Sequence, residues 1–211
     1  MTAALVQQQR PTSSPAPPVP PGPGLSPGDR GPDVSAYQPN VDWAQVAAAG
    51  FRFAFVKATE STGYVNPFFA RDWAQIPANG LVRGAYHFAH PDDGQPVAEA
   101  EHFLQTVAPQ AGDLLVLDLE TGTGDLSGWA MQFAERLPWP PMLYSGVPFM
   151  AAHGLCTPEV AAAFGHQLWI AAYGPQPNLP NGWPELTFWQ FSDGEAVPGV
   201  QGACDCSIYR P

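Results

Sequence analysis

Leu114-Leu115-Val116-Leu117-Asp118-Leu119-Glu120 reads as a buried strand that ends in acid. Four consecutive aliphatic residues leave no polar face for solvent, as expected of a strand covered on both sides. Alternate residues of extended backbone project to the same side, so Asp118 and Glu120 share one face about 7 Å apart. Ionised carboxylates resist desolvation, and two of them at the end of a buried strand must be paired, solvated or used. An Asp-x-Glu after an apolar run can simply close a strand. Its surroundings in the chain decide between that reading and chemistry.

Outward from this strand, short apolar segments alternate with segments of helical period. Strands are expected at Asp33–Tyr37, Phe51–Thr59, Leu81–Phe88, Met142–Ser145, Leu168–Tyr173, Thr187–Phe191 and Asp205–Tyr209. Helices are expected between Val41 and Gly50, with Asn40 or Asp42 as cap, and over Asn66–Gly80, Gln95–Val107 and Leu126–Leu137. Repeated strand–helix units imply a parallel sheet covered by helices. Gly174–Pro184 is rich in Pro, Asn and Gly and leaves no room for a crossover helix. The expected fold is therefore α/β: an irregular TIM-like barrel of about eight strands, with fewer helices in its second half. An open doubly wound sheet is the alternative, but no Gly-x-Gly-x-x-Gly follows the first strand, and nucleotide cofactors lose support with it.

The chain has 211 residues with a formal net charge of −11 and only eight Lys and Arg. No basic stripe exists to neutralise a phosphate backbone, so nucleic acid is not an expected partner. No apolar run approaches the ~20 residues of a bilayer span, so no membrane anchor is expected. Met1–Arg10 lacks the basic start and continuous apolar core of an export signal. Residues 1–32, dominated by Pro, Ser and Gly, read as a solvated tail or spacer before a single domain over 33–211, expected to act as a monomer. Cys156, Cys204 and Cys206 are too few for a disulfide scaffold and lack the histidine spacing of a zinc site. They read as structural thiols, with one bridge from Cys156 to either partner left open.

In such barrels the functional side chains come from the carboxyl ends of the strands. Those positions hold Asp33, Ser35 and Tyr37, then Lys57, Thr59 and Glu60, then Tyr86, His87 and His90, then Asp118 and Glu120. Tyr144 and Ser145, Trp169 and Tyr173, Trp189 and Gln190, and finally Asp205 follow. Lys57 is the only lysine of the chain and is best explained by pairing with these acids. His87 and His90 lack metal-ligand spacing and read as hydrogen-bonded residues, so no metal is expected. Tyr144-Ser145-Gly146 does not supply the Gly-x-Ser-x-Gly of a serine hydrolase. Paired carboxylates among Trp and Tyr are what cleavage of a sugar chain needs. A proton must reach the glycosidic oxygen, a negative group must support the charge developing on the ring, and flat aromatic faces stack on apolar sugar faces. Trp43 and Trp73, on helical segments, are assigned to the core.

With those residues in order, the chain resembles the family 25 glycoside hydrolases, the Chalaropsis-type lysozymes. The resemblance runs from Asp33 to Tyr209. It rests on Asp33-Val34-Ser35-Ala36-Tyr37-Gln38, Phe55-Val56-Lys57-Ala58-Thr59-Glu60, Gly84-Ala85-Tyr86-His87-Phe88, Asp118-Leu119-Glu120, Leu143-Tyr144-Ser145, Leu168-Trp169-Ile170-Ala171-Ala172-Tyr173, Phe188-Trp189-Gln190-Phe191 and Asp205. Where the family commonly carries an Asn shortly after the late Asp, this chain has Cys206 and Ser207. The resemblance implies hydrolysis of the β-1,4 bond between N-acetylmuramic acid and N-acetylglucosamine in peptidoglycan, with no cofactor. It implies Glu120 as general acid and base, Asp118 as partner of the substrate acetamido group, and Asp33 as a further catalytic acid. Asp205, Tyr37, Lys57, Tyr86, Trp169, Tyr173 and Gln190 would bind the sugar. Action at the cell wall, as an endolysin or as a wall enzyme, is the implied setting. A silent glycan-binding barrel would not need Asp33, Asp118, Glu120 and Asp205 together. A glycosidase of another N-acetylated polymer such as chitin would share the same residue types.

Overall fold

The computed structural model describes residues 24–174 and 177–211. Most of the tail expected over 1–32 therefore lies outside the described residues. Nine strands and six α-helices follow: β1 (Arg30–Val34), α1 (Trp43–Ala48), β2 (Phe53–Glu60), β3 (Tyr64–Val65), α2 (Phe69–Ala78), β4 (Val82–Phe88), α3 (Pro96–Val107), β5 (Leu114–Asp118), α4 (Ser127–Glu135), β6 (Met142–Gly146), α5 (Val147–Ala152), α6 (Pro158–Ala163), β7 (Leu168–Ala171), β8 (Phe188–Glu195) and β9 (Cys204–Tyr209).

Eight strands close a barrel in the order β1-β9-β8-β7-β6-β5-β4-β2, sealed by β1 pairing with β2, while β3 hangs on the outer edge of β2. Neighbours from β1 through β2, β4, β5, β6 and β7 to β8 are parallel. Strand β9 runs antiparallel to both β8 and β1. This is the irregular α/β barrel expected, with one departure. The β8–β9 return is a hairpin-like antiparallel pair, which needs no crossover helix.

Side-chain alternation divides each strand between two cores. Phe53, Phe55, Leu114, Val116, Met142, Tyr144, Trp169, Phe188 and Tyr209 fill the barrel. Ala54, Val56, Ala58, Ala85, Leu115, Leu117, Leu143 and Ile170 face outward onto helices that contribute Trp43, Trp73, Phe103 and Phe133. Phe55 stacks on Trp169 at 4.2 Å between centroids and meets Phe188 edge-on at 5.2 Å. Room for these rings comes from missing side chains. A Cβ on Gly84 would lie 2.2 Å from a Phe55 ring carbon, and one on Gly31 would lie 2.2 Å from Phe53.

Helix α1 begins at Asp42, whose carboxylate accepts from Gln45 N, as one of the two expected caps. Two short helices, α5 and α6, were not anticipated. Each is six residues long and starts with Pro in its first turn, too short for a periodic pattern to register. The first strand also differs: β1 starts at Arg30 and ends at Val34, not at Tyr37. Arg30, Gly31 and Pro32 pair with Ile208, Ser207 and Cys206 of β9, although their composition matches the tail. The strand ends where Gln38 N donates to Ser35 O and the Gln38 side chain accepts from Ser35 N. All three cysteines are free; Cys204 and Cys206 are buried on the outward face of β9.

Candidate active site

The alternation that sends Phe55 and Val116 into the barrel sends the next inward residue of each strand to its mouth. There, Asp33, Ser35, Tyr37, Lys57, Tyr86, Phe88, Asp118, Glu120, Tyr144, Trp169 and Asp205 line a hollow of about 200 Å³. Residues separated by up to 172 positions thus bring four carboxylates around one space. Asp33 and Asp205 are register partners on β1 and β9, which places them side by side. Asp118 ends β5 and is 6% exposed. Glu120 lies two residues beyond the strand end, open to solvent, after Leu119 N has donated to Tyr144 O and carried the chain past β6.

Gln190, on β8, organises the acids. Its Nε2 donates to both oxygens of Asp33 at 3.1 Å and to Asp205 Oδ2 at 3.5 Å, while its Oε1 accepts from Tyr144 Oη at 2.9 Å and Tyr173 Oη at 2.8 Å. Two phenols on one end and two carboxylates on the other admit one amide orientation. With 1% exposure Gln190 is a bracket beneath the hollow, so the expectation that it touches sugar is replaced by a supporting place.

Burial drives the electrostatics. Asp33 is pushed well above the usual carboxylate range by desolvation and then by the charge of Asp205, against the opposing donation from Gln190. Asp205 is raised by desolvation and by Asp193. Asp118 is raised strongly, by desolvation and then by Glu120, while Lys57 pulls it down. Glu120 is raised by desolvation and by Asp205, again opposed by Lys57. The Tyr86 hydroxyl is held protonated by burial and by the same four acids. Tyr173 is pushed up to about 12 by desolvation and Asp205. Asp118 Oδ1 is buried and meets no protein donor among the described residues. A buried carboxylate oxygen without a protein partner is uncommon and marks Asp118 for a role beyond packing.

The other expected residues fall as follows. Ser35 and Tyr37 sit in a turn rather than on a strand face, yet both reach the hollow; Tyr37 stands at the rim, 90% exposed. Trp169 forms the floor, buried, with Nε1 donating to Ser207 Oγ at 2.9 Å. Tyr173 lies outside this hollow, beside a second one lined by Val147, Pro148, Ala171 and Ala172, and reaches the acids only through Gln190. Lys57 pairs with Glu60 at 2.6 Å, so its closest partner is not one of the four acids. His87 is buried outside the barrel between Thr59 Oγ1 at 2.8 Å and Glu99 Oε2 at 2.7 Å. His90 meets Glu60 Oε1 at 3.0 Å. Among the described residues no group of three His, Cys, Asp or Glu is arranged to hold a metal ion. Phe88 was missed as a lining residue, although alternation from Tyr86 along β4 puts it on the same face.

The comparisons with known proteins agree with this fold. The model for glycosyl hydrolases family 25 matches residues 32–200. The chain is 32% identical over 200 residues to the N,O-diacetylmuramidase of Chalaropsis sp, covering 83% of this chain and 93% of that protein. It is 36% identical over 193 residues to the uncharacterized protein YegX of Escherichia coli O157:H7, covering 84% of this chain and 68% of that one. The bacterial lysozyme from Streptomyces coelicolor superposes with a TM-score of 0.77 at 28% identity, covering 86% of this chain and 92% of that chain.

Proposed function

The chain belongs to glycosyl hydrolases family 25, and we propose that it is a muramidase in which Glu120 is the general acid and base and Asp118 assists the substrate. The bond cleaved is the β-1,4 linkage between N-acetylmuramic acid and N-acetylglucosamine of peptidoglycan, and the site of action is the bacterial cell wall. The observation that carries the residue roles is the unequal pair at the end of β5: one carboxyl buried with an unpartnered oxygen, the next at the open rim.

Glu120, held protonated above its ordinary range, gives its proton to the glycosidic oxygen as the C1–O bond breaks. Asp118 accepts the acetamido N–H of the sugar, turning its carbonyl oxygen onto C1, where a C–O bond forms in place of the one lost. Water then attacks C1 and gives its proton to Glu120, and the acetamide re-forms. This is the substrate-assisted departure from the two-carboxylate scheme. The pair must hold one proton, on Glu120, and one charge, on Asp118. Asp33, with Asp205 beside it, and Tyr86 complete the acidic wall, and Trp169 gives the floor an apolar surface.

The test is clearing of purified peptidoglycan, followed by identification of the new reducing-end sugar. Muramic acid at that end is expected; glucosamine there, or cleavage of chitin in preference, would contradict the assignment. Glu120→Gln should remove hydrolysis, by about 10³-fold or more, with thermal unfolding unchanged within a few degrees. Near-normal turnover in that variant would give the acid role to another group.

A further inference from the structure

Strand β2 carries an irregularity whose effect reaches the cleft. Lys57 pairs with Tyr86 and Thr59 pairs with His87, so two steps on β2 oppose one on β4. In regular extended backbone Lys57 and Glu60, three apart, would face opposite sides. The bulge at Ala58 reverses the alternation. Ala58 and Thr59 both turn outward, Ala58 into the helix-facing core and Thr59 onto His87, and Glu60 turns inward beside Phe88. A bulge leaves ladder groups unpaired and persists only when they are satisfied elsewhere. Here Asn66 supplies both bonds: its side chain donates to Lys57 O at 2.8 Å and its N–H to Ala58 O at 2.9 Å. On the outer face the fully buried series Thr59, His87 and Glu99 pins the same turn, and Glu99 Oε2 also accepts from His90 N at 3.1 Å. Polar groups buried at this density are costly unless they fix something.

What they fix is Glu60. One of its oxygens holds Lys57 Nζ at 2.6 Å and the other meets His90 Nε2 at 3.0 Å. Lys57 is thereby pressed against the rings of Phe88 at 4.6 Å and Tyr64 at 5.6 Å. It is the only cation lining the hollow among the described residues.

We propose that Glu60 is a positioning residue for hydrolysis: turned inward by the bulge, it holds the Lys57 ammonium in the cleft wall facing Asp118 and Glu120. This inference rests on the roles given above to those two acids. The groups around Lys57 are Glu60 on its own strand, Tyr86 beside it on β4, His90 after β4, and Asp33, Asp118, Glu120 and Asp205 around the same hollow. Burial favours leaving the single proton of the pair on Asp118, the unproductive arrangement. A fixed positive charge favours ionisation of both acids and so lets the pair carry one charge where burial and mutual repulsion would keep both protonated. A lysine free to swing into solvent would be screened and would bias nothing.

A double-mutant cycle with a pH profile tests this on the full chain. Lys57→Met keeps the apolar stem and should lower kcat by about ten- to a hundred-fold with KM within about two-fold, while moving the alkaline limb upward because both acids lose the lysine. Glu60→Gln should act in the same direction and less strongly. Added to Lys57→Met, it should change neither kcat nor the limb by more than about two-fold, since Glu60 acts only through Lys57. Equal loss from Glu60→Gln in both backgrounds, or an alkaline limb unmoved by either change, would overturn the inference. Glu120→Gln, inactive in its own right, keeps the two questions apart: if it alone behaves as stated, the acid assignment stands and the clamp fails.

Discussion

In the role proposed for it, Asp118 serves chemistry at the expense of the fold. It is buried, close to Glu120, and one of its oxygens meets no donor among the described residues, so its carboxyl sits well above the usual range. A carboxyl raised in the folded state stabilises the protein below its unfolded value near 4 and loses that contribution as pH climbs through the folded value. At neutral pH the ionised form is therefore a liability that an amide avoids. Asp118→Asn should lose most of the activity and yet melt higher than the parent at pH 7, by roughly 2–4 °C, which is what about 1 kcal/mol delivers in a domain of this size. The difference should shrink on acidification and vanish near pH 4. A lower Tm at pH 7 would mean that Asp118 is held by contacts that favour its charge. Gln190 presents the opposite case, in which every polar atom is used. Gln190→Met would strand two tyrosine hydroxyls and two carboxylates and should cost about 2–3 kcal/mol in denaturant unfolding, with activity falling alongside.

At the scale of elements, the barrel depends on glycine where Phe rings need space. Gly84→Ala would set a methyl 2.2 Å from the Phe55 ring, whose neighbours Trp169 and Phe188 leave it no retreat. A loss of about 1–3 kcal/mol is expected from such overpacking, read as a lower denaturant midpoint at unchanged slope. The same elements show what sequence reading could reach. Alternation put Asp118 and Glu120 on one face, and placement at the carboxyl ends of the strands predicted the convergence of Asp33, Lys57, Tyr86, Asp118, Glu120, Trp169 and Asp205 at one mouth. What escaped it depended on pairing partners. Arg30–Pro32 is a strand only because β9 lies beside it, and α5 and α6 are too short to show a period. Ser35 and Tyr37 left the strand through a turn closed by the Gln38 side chain. The bulge at Ala58 shifts the alternation by one residue without any Gly or Pro to announce it, so Glu60 and Lys57 read as opposite-facing although they touch.

For the whole molecule the balance of these charges sets a direction with pH. Asp33, Asp118, Glu120 and Asp205 are all raised in the fold, two of them strongly, so the folded barrel keeps protons that the unfolded chain releases above about pH 4. Their joint contribution to stability falls as pH rises. Against it stands buried His87, lowered chiefly by desolvation; its neutral form stabilises the fold above about 6.5 and that share is lost as pH drops. Asp42, Glu60 and Asp125 are lowered by their hydrogen bonds or ion pairs and withdraw support only as pH falls below about 4. A net charge of −11 adds repulsion that acidification relieves. Four groups and the overall charge against one histidine place the maximum of Tm on the acid side of neutrality, near about pH 5, with a decline below about 4. Hydrolysis should lean the same way under the role proposed for Glu120, which can deliver a proton only while it holds one. A melting temperature that climbs steadily from pH 5 to 8 would contradict the raised acids as a group. Asp118→Asn combined with Asp205→Asn should flatten the alkaline decline if those carboxyls are its source.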